Sequence, residues 1–379
     1  MNRFFIIIIS VLITGSAYAE ITNWWGVVSF RQRNETAKLY TDFTQAGDAG
    51  TLRYTEDNFK TRVGYQFGFN VDIADNLAAS LTFRSGLGSV MLQDITSSSG
   101  LTPGLQEAYI DWETPYARLH MGKIPQQGNA MWDLYAGANQ TDWRLYNPAD
   151  GLFNDRMSAL NGARLMVPLE FAGAPITLRA TFHSDNVSGR ERDYDDSALE
   201  DEKNPDWYVM LLGFNAQYDG YELDADFGIP KRLGEERAQG TKDSIYVDEV
   251  IWGATASKTV EKLDFGGISI NNSKLSLGYG FNDRDSVFTA NFYTVLAQTE
   301  ILGYRFSAKF DKGVHESKEK TYAGSKAHRQ AMHFYVNKTI WNLDLQPRII
   351  LFKTEIENEG VTKVRDELTR IELTATVKF

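Results

Sequence analysis

From Leu368 to Phe379 the chain reads L-T-R-I-E-L-T-A-T-V-K-F. Ile371, Leu373, Ala375, Val377 and Phe379 fall on one side of an extended backbone, and Arg370, Glu372, Thr374, Thr376 and Lys378 on the other. Strict period-two alternation between an apolar and a polar side predicts a strand with lipid on one face and water on the other. Residues 59–73 repeat the pattern: Phe59, Val63, Tyr65, Phe67, Phe69 and Val71 alternate with Lys60, Arg62, Gly64, Gln66, Gly68 and Asn70. A helix would gather Arg62, Gln66 and Phe69 on one side, so a period of 3.6 fails here. A membrane strand needs a partner at each edge, because no water inside the bilayer satisfies an open one. Pairing the last strand with the first therefore predicts a closed cylinder.

The first strand is read over residues 21–33 and is followed by a polar loop to about residue 58. Further strands are predicted at 77–84, 105–113, 116–124, 161–169, 176–184, 207–218 and 221–229. Later pairs are 245–257 with 274–282, 287–297 with 300–310, and 331–339 with 342–356; segment 258–273 leaves room for a different register. Tight turns such as Ala74-Asp75-Asn76, Thr114-Pro115 and Asp219-Gly220 alternate with long polar loops. About sixteen strands with this asymmetry predict an all-β transmembrane antiparallel barrel, with short periplasmic turns and long extracellular loops. Trp112, Tyr116, Tyr218, Tyr221, Trp341 and Phe379 cluster at the short turns, as a membrane-interface belt would.

Composition changes this picture little but fixes the address. Arg3, the apolar run Phe4–Ile13 and the Ala17-Tyr18-Ala19 site predict a cleaved export signal over residues 1–19, leaving one domain over 20–379. The mean hydropathy of −0.35 would suit a soluble chain, yet a barrel hides from that test by alternating. Cysteine is absent, which excludes disulfides and thiolate metal sites. A net charge of −11, more negative still without Arg3, argues against a nucleic-acid partner. Segment 185–206 carries nine acidic against three basic residues. It reads as a solvated surface that could associate weakly with divalent cations near lipopolysaccharide phosphates, and its spacing matches no dedicated metal site.

A cylinder of about sixteen strands leaves an aqueous channel. Segment 125–160 is long enough to narrow it and carries Trp132, Tyr135, Trp143, Tyr146 and Phe153 alongside Asp133, Asp142, Asp150 and Asp155. The alternative is an extracellular flap held by its own aromatics. The closing strand with its final Phe resembles that of Gram-negative outer-membrane barrels. Glu107-Ala108-Tyr109-Ile110, Arg118 through Lys123, Asp155-Arg156 and Asn161-Gly162-Ala163-Arg164 resemble the third-loop region of the general porins. Asp133-Leu134-Tyr135-Ala136-Gly137 stands where many enterobacterial porins have Pro-Glu-Phe-Gly-Gly. The resemblance implies an inward loop over 125–160 whose acidic residues face a basic wall of Arg31, Lys60, Arg62 and Arg84. It also implies a homotrimer, insertion by the barrel-assembly machinery, and Phe379 as part of the closure and assembly signal.

Parity alone places Glu222, Asp224 and Asp226 on the inward face of the ninth strand, opposite the first. That predicts a transverse field across the water-filled pore, although such residues are also ordinary solvated lumen groups. Four functions fit a barrel of this kind. They are a passive porin for small hydrophilic solutes and ions, a sugar- or anion-specific channel, an outer-membrane enzyme, and a plugged adhesin. None of the five histidines sits in a nucleophile motif; His315 and His328 are read as loop residues, so no catalytic group and no cofactor is expected. Lumen aromatics in a continuous track would favour sugars, and a ladder of arginines anions. The inward aromatics that parity places, Trp25 and Tyr109, form no such track, and the passive porin of the outer membrane is the reading taken forward.

Overall fold

The computed structural model describes residues 20–44, 49–85, 93–94, 103–125, 159–185, 207–235, 244–265, 268–284, 288–318, 324–358 and 361–379. The predicted export signal and Asp133, Asp142, Asp150 and Asp155 lie outside these residues. Sixteen long strands alternate along the chain: β1 (Glu20–Thr41), β2 (Thr51–Ala74), β3 (Leu77–Ser85), β4 (Pro103–Glu113), β5 (Arg118–Pro125), β6 (Ala159–Phe171), β7 (Ala174–Asp185) and β8 (Trp207–Tyr218) make up the first half. The second half is β9 (Tyr221–Glu235), β10 (Ser244–Phe265), β11 (Ile268–Arg284), β12 (Phe288–Ile301), β13 (Tyr304–Ser317), β14 (Lys326–Ile340), β15 (Leu343–Asn358) and β16 (Val361–Lys378). Each pairs antiparallel with the next, and β1 pairs with both β2 and β16, which closes the sheet on itself. A two-residue segment, Gln93–Asp94, adds to β2 at Val63 and Arg62.

Alternation along each strand becomes an inside and an outside. On β16 Ile371 and Leu373 are 57 % and 46 % exposed, whereas Arg370 and Glu372 between them are 0 % and 2 %. Apolar side chains at the surface and charged ones enclosed is the reverse of a water-soluble domain. It is the arrangement of a barrel with lipid outside. Among the described residues no helix is long and apolar enough to cross a membrane. The aromatic residues predicted for the interface are all exposed beside the short turns, Trp341 most of all.

The seam is held at its lower end by two backbone hydrogen bonds. The Gly26 amide donates to the Phe379 carbonyl at 2.7 Å, and the Phe379 amide to the Gly26 carbonyl at 3.0 Å. The Phe379 ring lies over Gly26, where a Cβ would stand 2.3 Å from its Cε2 atom, and 6.2 Å from the Trp24 ring. Three short turns place both central residues at positive φ: Ala172-Gly173, Asp219-Gly220 and Leu302-Gly303. This geometry matches the twist of the strands they join.

Several boundaries differ from expectation. The polar loop over 34–58 is largely strand, since the β1–β2 ladder continues to Thr41 and Thr51. Segment 258–273 is itself a hairpin, paired from Thr259 and Lys274 to Phe265 and Ile268. The β12–β13 turn lies at Leu302-Gly303 rather than at 298–299, and His315 and His328 stand on β13 and β14 rather than in a loop. Beyond the lipid belt both faces of a strand are polar, so the hydrophobic pattern stops before the ladder does.

Leu373 lies midway along the outward row of β16. Leu373→Arg is expected to destabilise the folded barrel by about 2–4 kcal/mol, read from urea unfolding in lipid vesicles by tryptophan fluorescence. Leu373→Val, which keeps the outward face apolar, is expected to leave stability far less affected.

Candidate functional site

The enclosed face of the barrel is where the charged groups meet. In the β1–β2 ladder Arg31 stands directly opposite Arg62, and Arg33 opposite Lys60. Arg84 on β3 pairs with Gln66, on the same inward face, and is buried. The structure thus places Arg31, Lys60, Arg62 and Arg84 on one continuous stretch of wall. Closure then adds groups from the far end of the sequence. Arg31 faces Thr374, Arg33 faces Glu372 and Glu35 faces Arg370 across the seam. On β15 Arg348 faces Glu372, and on β14 Arg329 faces Thr354.

These side chains form a rail around the wall. Arg33 Nη1 is 2.9 Å from Glu35 Oε1, and its Nε donates to Glu372 Oε2 at 3.3 Å. Arg370 Nη2 lies 2.8 Å from Glu35, Arg348 Nη1 lies 3.5 Å from Glu372, and Lys60 Nζ lies 3.9 Å from Glu35. Arg348 also donates to His333 Nδ1 at 2.6 Å. Beyond His333 stands Asp311 on β13, with Lys309 Nζ 3.5 Å from its carboxylate and Thr294 of β12 donating to it at 2.6 Å. Planar guanidiniums suit such a rail because each presents five donors in a fixed fork. Among the described residues cations outnumber carboxylates along this arc: Glu35 and Glu372 together serve Arg31, Arg33, Arg348, Arg370 and Lys60.

Half-way round the ring from β1 lies β9, with Glu222, Asp224 and Asp226 facing inward as parity predicts. They are not a free acidic face. Arg179 of β7 reaches both aspartates, Nη1 to Asp224 Oδ2 at 2.9 Å and Nη2 to Asp226 Oδ1 at 3.0 Å. Lys274 of β11 donates to Glu222 at 3.0 Å. Arg179 and Lys274 thus offset two of the three carboxylates where they stand, so among the described residues the acidity facing the basic arc is reduced to a single charge.

Other expected lumen groups are placed as follows. Trp25 lies across Gly68, where a Cβ would meet its ring at 2.9 Å, and Tyr109 packs against His120 at a centroid distance of 4.9 Å. His120 Nε2 is 3.3 Å from Asp111, which Arg118 also holds at 2.8 Å. Among the described residues no group of acidic and histidine side chains has the arrangement of a metal site. The rail members Arg33, Glu35, His333 and Arg348 go unnoticed in the sequence for want of the pairing. The parity of Arg370 and Glu372 is legible, but their partners are not.

No protein-family model and no curated protein matches the chain. Solved structures do. An anion-selective porin from Comamonas acidovorans is 12 % identical, aligning 95 % of this chain with 100 % of that one at a TM-score of 0.55. OprB of Pseudomonas putida is 11 % identical over 98 % of this chain and 96 % of its own, with a TM-score of 0.52. The outer-membrane channel DcaP of Acinetobacter baumannii is 13 % identical over 96 % and 98 %, with a TM-score of 0.50. At such identities the likeness concerns the fold: this chain is a closed sixteen-stranded antiparallel barrel of the architecture found in outer-membrane porins.

Two substitutions test the charge arrangement. Arg179→Ala frees Asp224 and Asp226 and is expected to move the zero-current potential in a salt gradient toward cation preference. Glu372→Gln withdraws a shared counter-ion from Arg33 and Arg348, and is expected to move that potential the other way. The same change should lower stability by roughly 1–3 kcal/mol, as leaving buried donors without their acceptor does.

Proposed function

We propose that the chain is a Gram-negative outer-membrane porin through which small hydrophilic solutes diffuse passively, with anions favoured over cations. The observation that carries this reading is that, among the described residues, Arg31, Arg33, Arg348, Arg370 and Lys60 share two carboxylates, Glu35 and Glu372, along the wall at the seam. One uncompensated unit charge about 7 Å from the path of an ion in water is worth about 0.6 kcal/mol. That is roughly a threefold bias in local ion population per charge, before screening by salt. Overall acidity does not oppose the reading, because it is the sign of the groups lining the path that a permeating ion meets. One of the similar structures is described as anion-selective. At 12 % identity that description stays with that protein, and the preference here rests on this chain's own arginines.

On this reading the barrel performs no covalent chemistry and needs no cofactor. It works as a homotrimer surrounded by lipopolysaccharide and is inserted by the barrel-assembly machinery. The inward aromatics Trp25, Tyr109 and Tyr335 stand on separate strands rather than in a track, which gives no support to a sugar-specific channel.

Purified protein in planar bilayers is expected to give stepwise openings. In a tenfold potassium chloride gradient the zero-current potential should take the sign of chloride preference, and Arg31→Ala with Arg62→Ala should reduce it. Absence of conductance, or a cation-selective potential in the unmodified channel, would overturn the proposal.

A further inference from the structure

His333 is 1 % exposed and occupies the middle of the rail. Its two ring nitrogens have unlike neighbours. Nδ1 is 2.6 Å from Arg348 Nη2. Nε2 is 3.2 Å from Asp311 Oδ2, off the line a hydrogen bond needs. A guanidinium only donates, so Nδ1 is the accepting nitrogen, and the neutral imidazole keeps its proton on Nε2, toward Asp311. A second proton has one place to go, which is Nδ1. That position is already filled by the Arg348 donor. Protonation of His333 and its contact with Arg348 are therefore mutually exclusive.

We propose that His333 and Arg348 form an acid-released latch on the channel wall, in which protonation of His333 at Nδ1 expels the Arg348 guanidinium toward the water-filled lumen. The charged groups around the ring set its terms. From β13, Asp311 favours the protonated form and Lys309 opposes it. From β15, Arg348 opposes it until released; across β15, Glu372 offers Arg348 its remaining ion pair at 3.5 Å, with Arg370 facing Ile350 beside it. On β14 itself Arg329 and Tyr335 share the inward face.

The backbone ladder has a gap at this point. The β14–β15 register runs to Tyr335 opposite Arg348 and resumes at Lys338 opposite Leu345. Pro347, which has no amide hydrogen, falls in that gap, where Gln346 donates to Asn337 at 2.8 Å instead. Arg348 thus stands at the edge of this gap, with the same register on either side of it. Release adds one charge at His333 and moves a second from the wall toward the path of the solute, so acid should make the lumen both more positive and narrower.

Single-channel current and zero-current potential of the intact protein in planar bilayers, measured between about pH 8 and about pH 4.5, test this. The unmodified channel is expected to show an acid step, with falling conductance and a shift toward anions. His333→Gln, whose amide oxygen accepts from Arg348 but takes up no proton there, is expected to lose that step. Arg348→Gln, which has no cation to release, is expected to lose the fall in conductance. An acid response as large in His333→Gln as in the unmodified channel, or no response in the unmodified channel, overturns the latch. Should one variant fail to assemble, the other together with the unmodified channel still decides. The reading is independent of overall selectivity: a channel that prefers cations at every pH but loses its acid step in His333→Gln refutes the anion preference and keeps the latch.

Discussion

The requirement that no backbone amide or carbonyl face hydrocarbon unpaired governs this molecule. Inside a bilayer a missing partner costs several kcal/mol for each group, so an open sheet is not available as a stable state. Pairing β1 with β16 meets the requirement. Everything else about the barrel follows: strand count sets its girth, girth leaves a water-filled interior, and alternation assigns each residue to lipid or to water.

Closure also decides the chemistry of the interior, because it makes neighbours of residues that are remote along the chain. Arg33 and Glu372 are separated by 339 positions and share a hydrogen bond across the seam. From that point the rail runs through Arg348 and His333 to Asp311, while on the other wall Arg179 holds Asp224 and Asp226. The interior is thus unequal on its two sides. Among the described residues, one side has its carboxylates largely offset by Arg179 and Lys274, and the other has more positive groups than carboxylates. Arginine is the residue that can support such crowding, since each fork reaches two partners and its charge does not titrate away in the physiological range.

Much of the fold was legible in the sequence, for a physical reason: in a barrel every strand shows both its environments. The last strand, residues 59–73 and the Asp219-Gly220 hairpin could be placed from alternation and turn chemistry alone. The failures are as informative. At Leu302-Gly303 the first turn residue adopts φ 53°, which leucine disfavours, so nothing in its side chain announces a turn. Residues 34–41 and 51–58 pair as strands with polar groups on both faces, where the hydrophobic signal is silent. For the lumen, parity correctly set Arg31, Lys60, Arg62 and Arg84 on the inner face. It could not show that Asp224 and Asp226 are clamped by Arg179, because cross-strand partners depend on register and not on the sequence of either strand.

Dispersing the apolar surface one residue at a time has an effect outside the folded state. On the outer-membrane reading proposed above, the chain must first cross another membrane without being retained there, and retention depends on a sustained hydrophobic stretch of about 20 residues. On β16 no two outward positions such as Ile371 and Leu373 are adjacent, since a polar group stands between each pair. Translocation machinery reading this strand finds no stop-transfer signal. The greasy belt comes into being only once the strands are side by side, after the journey is over.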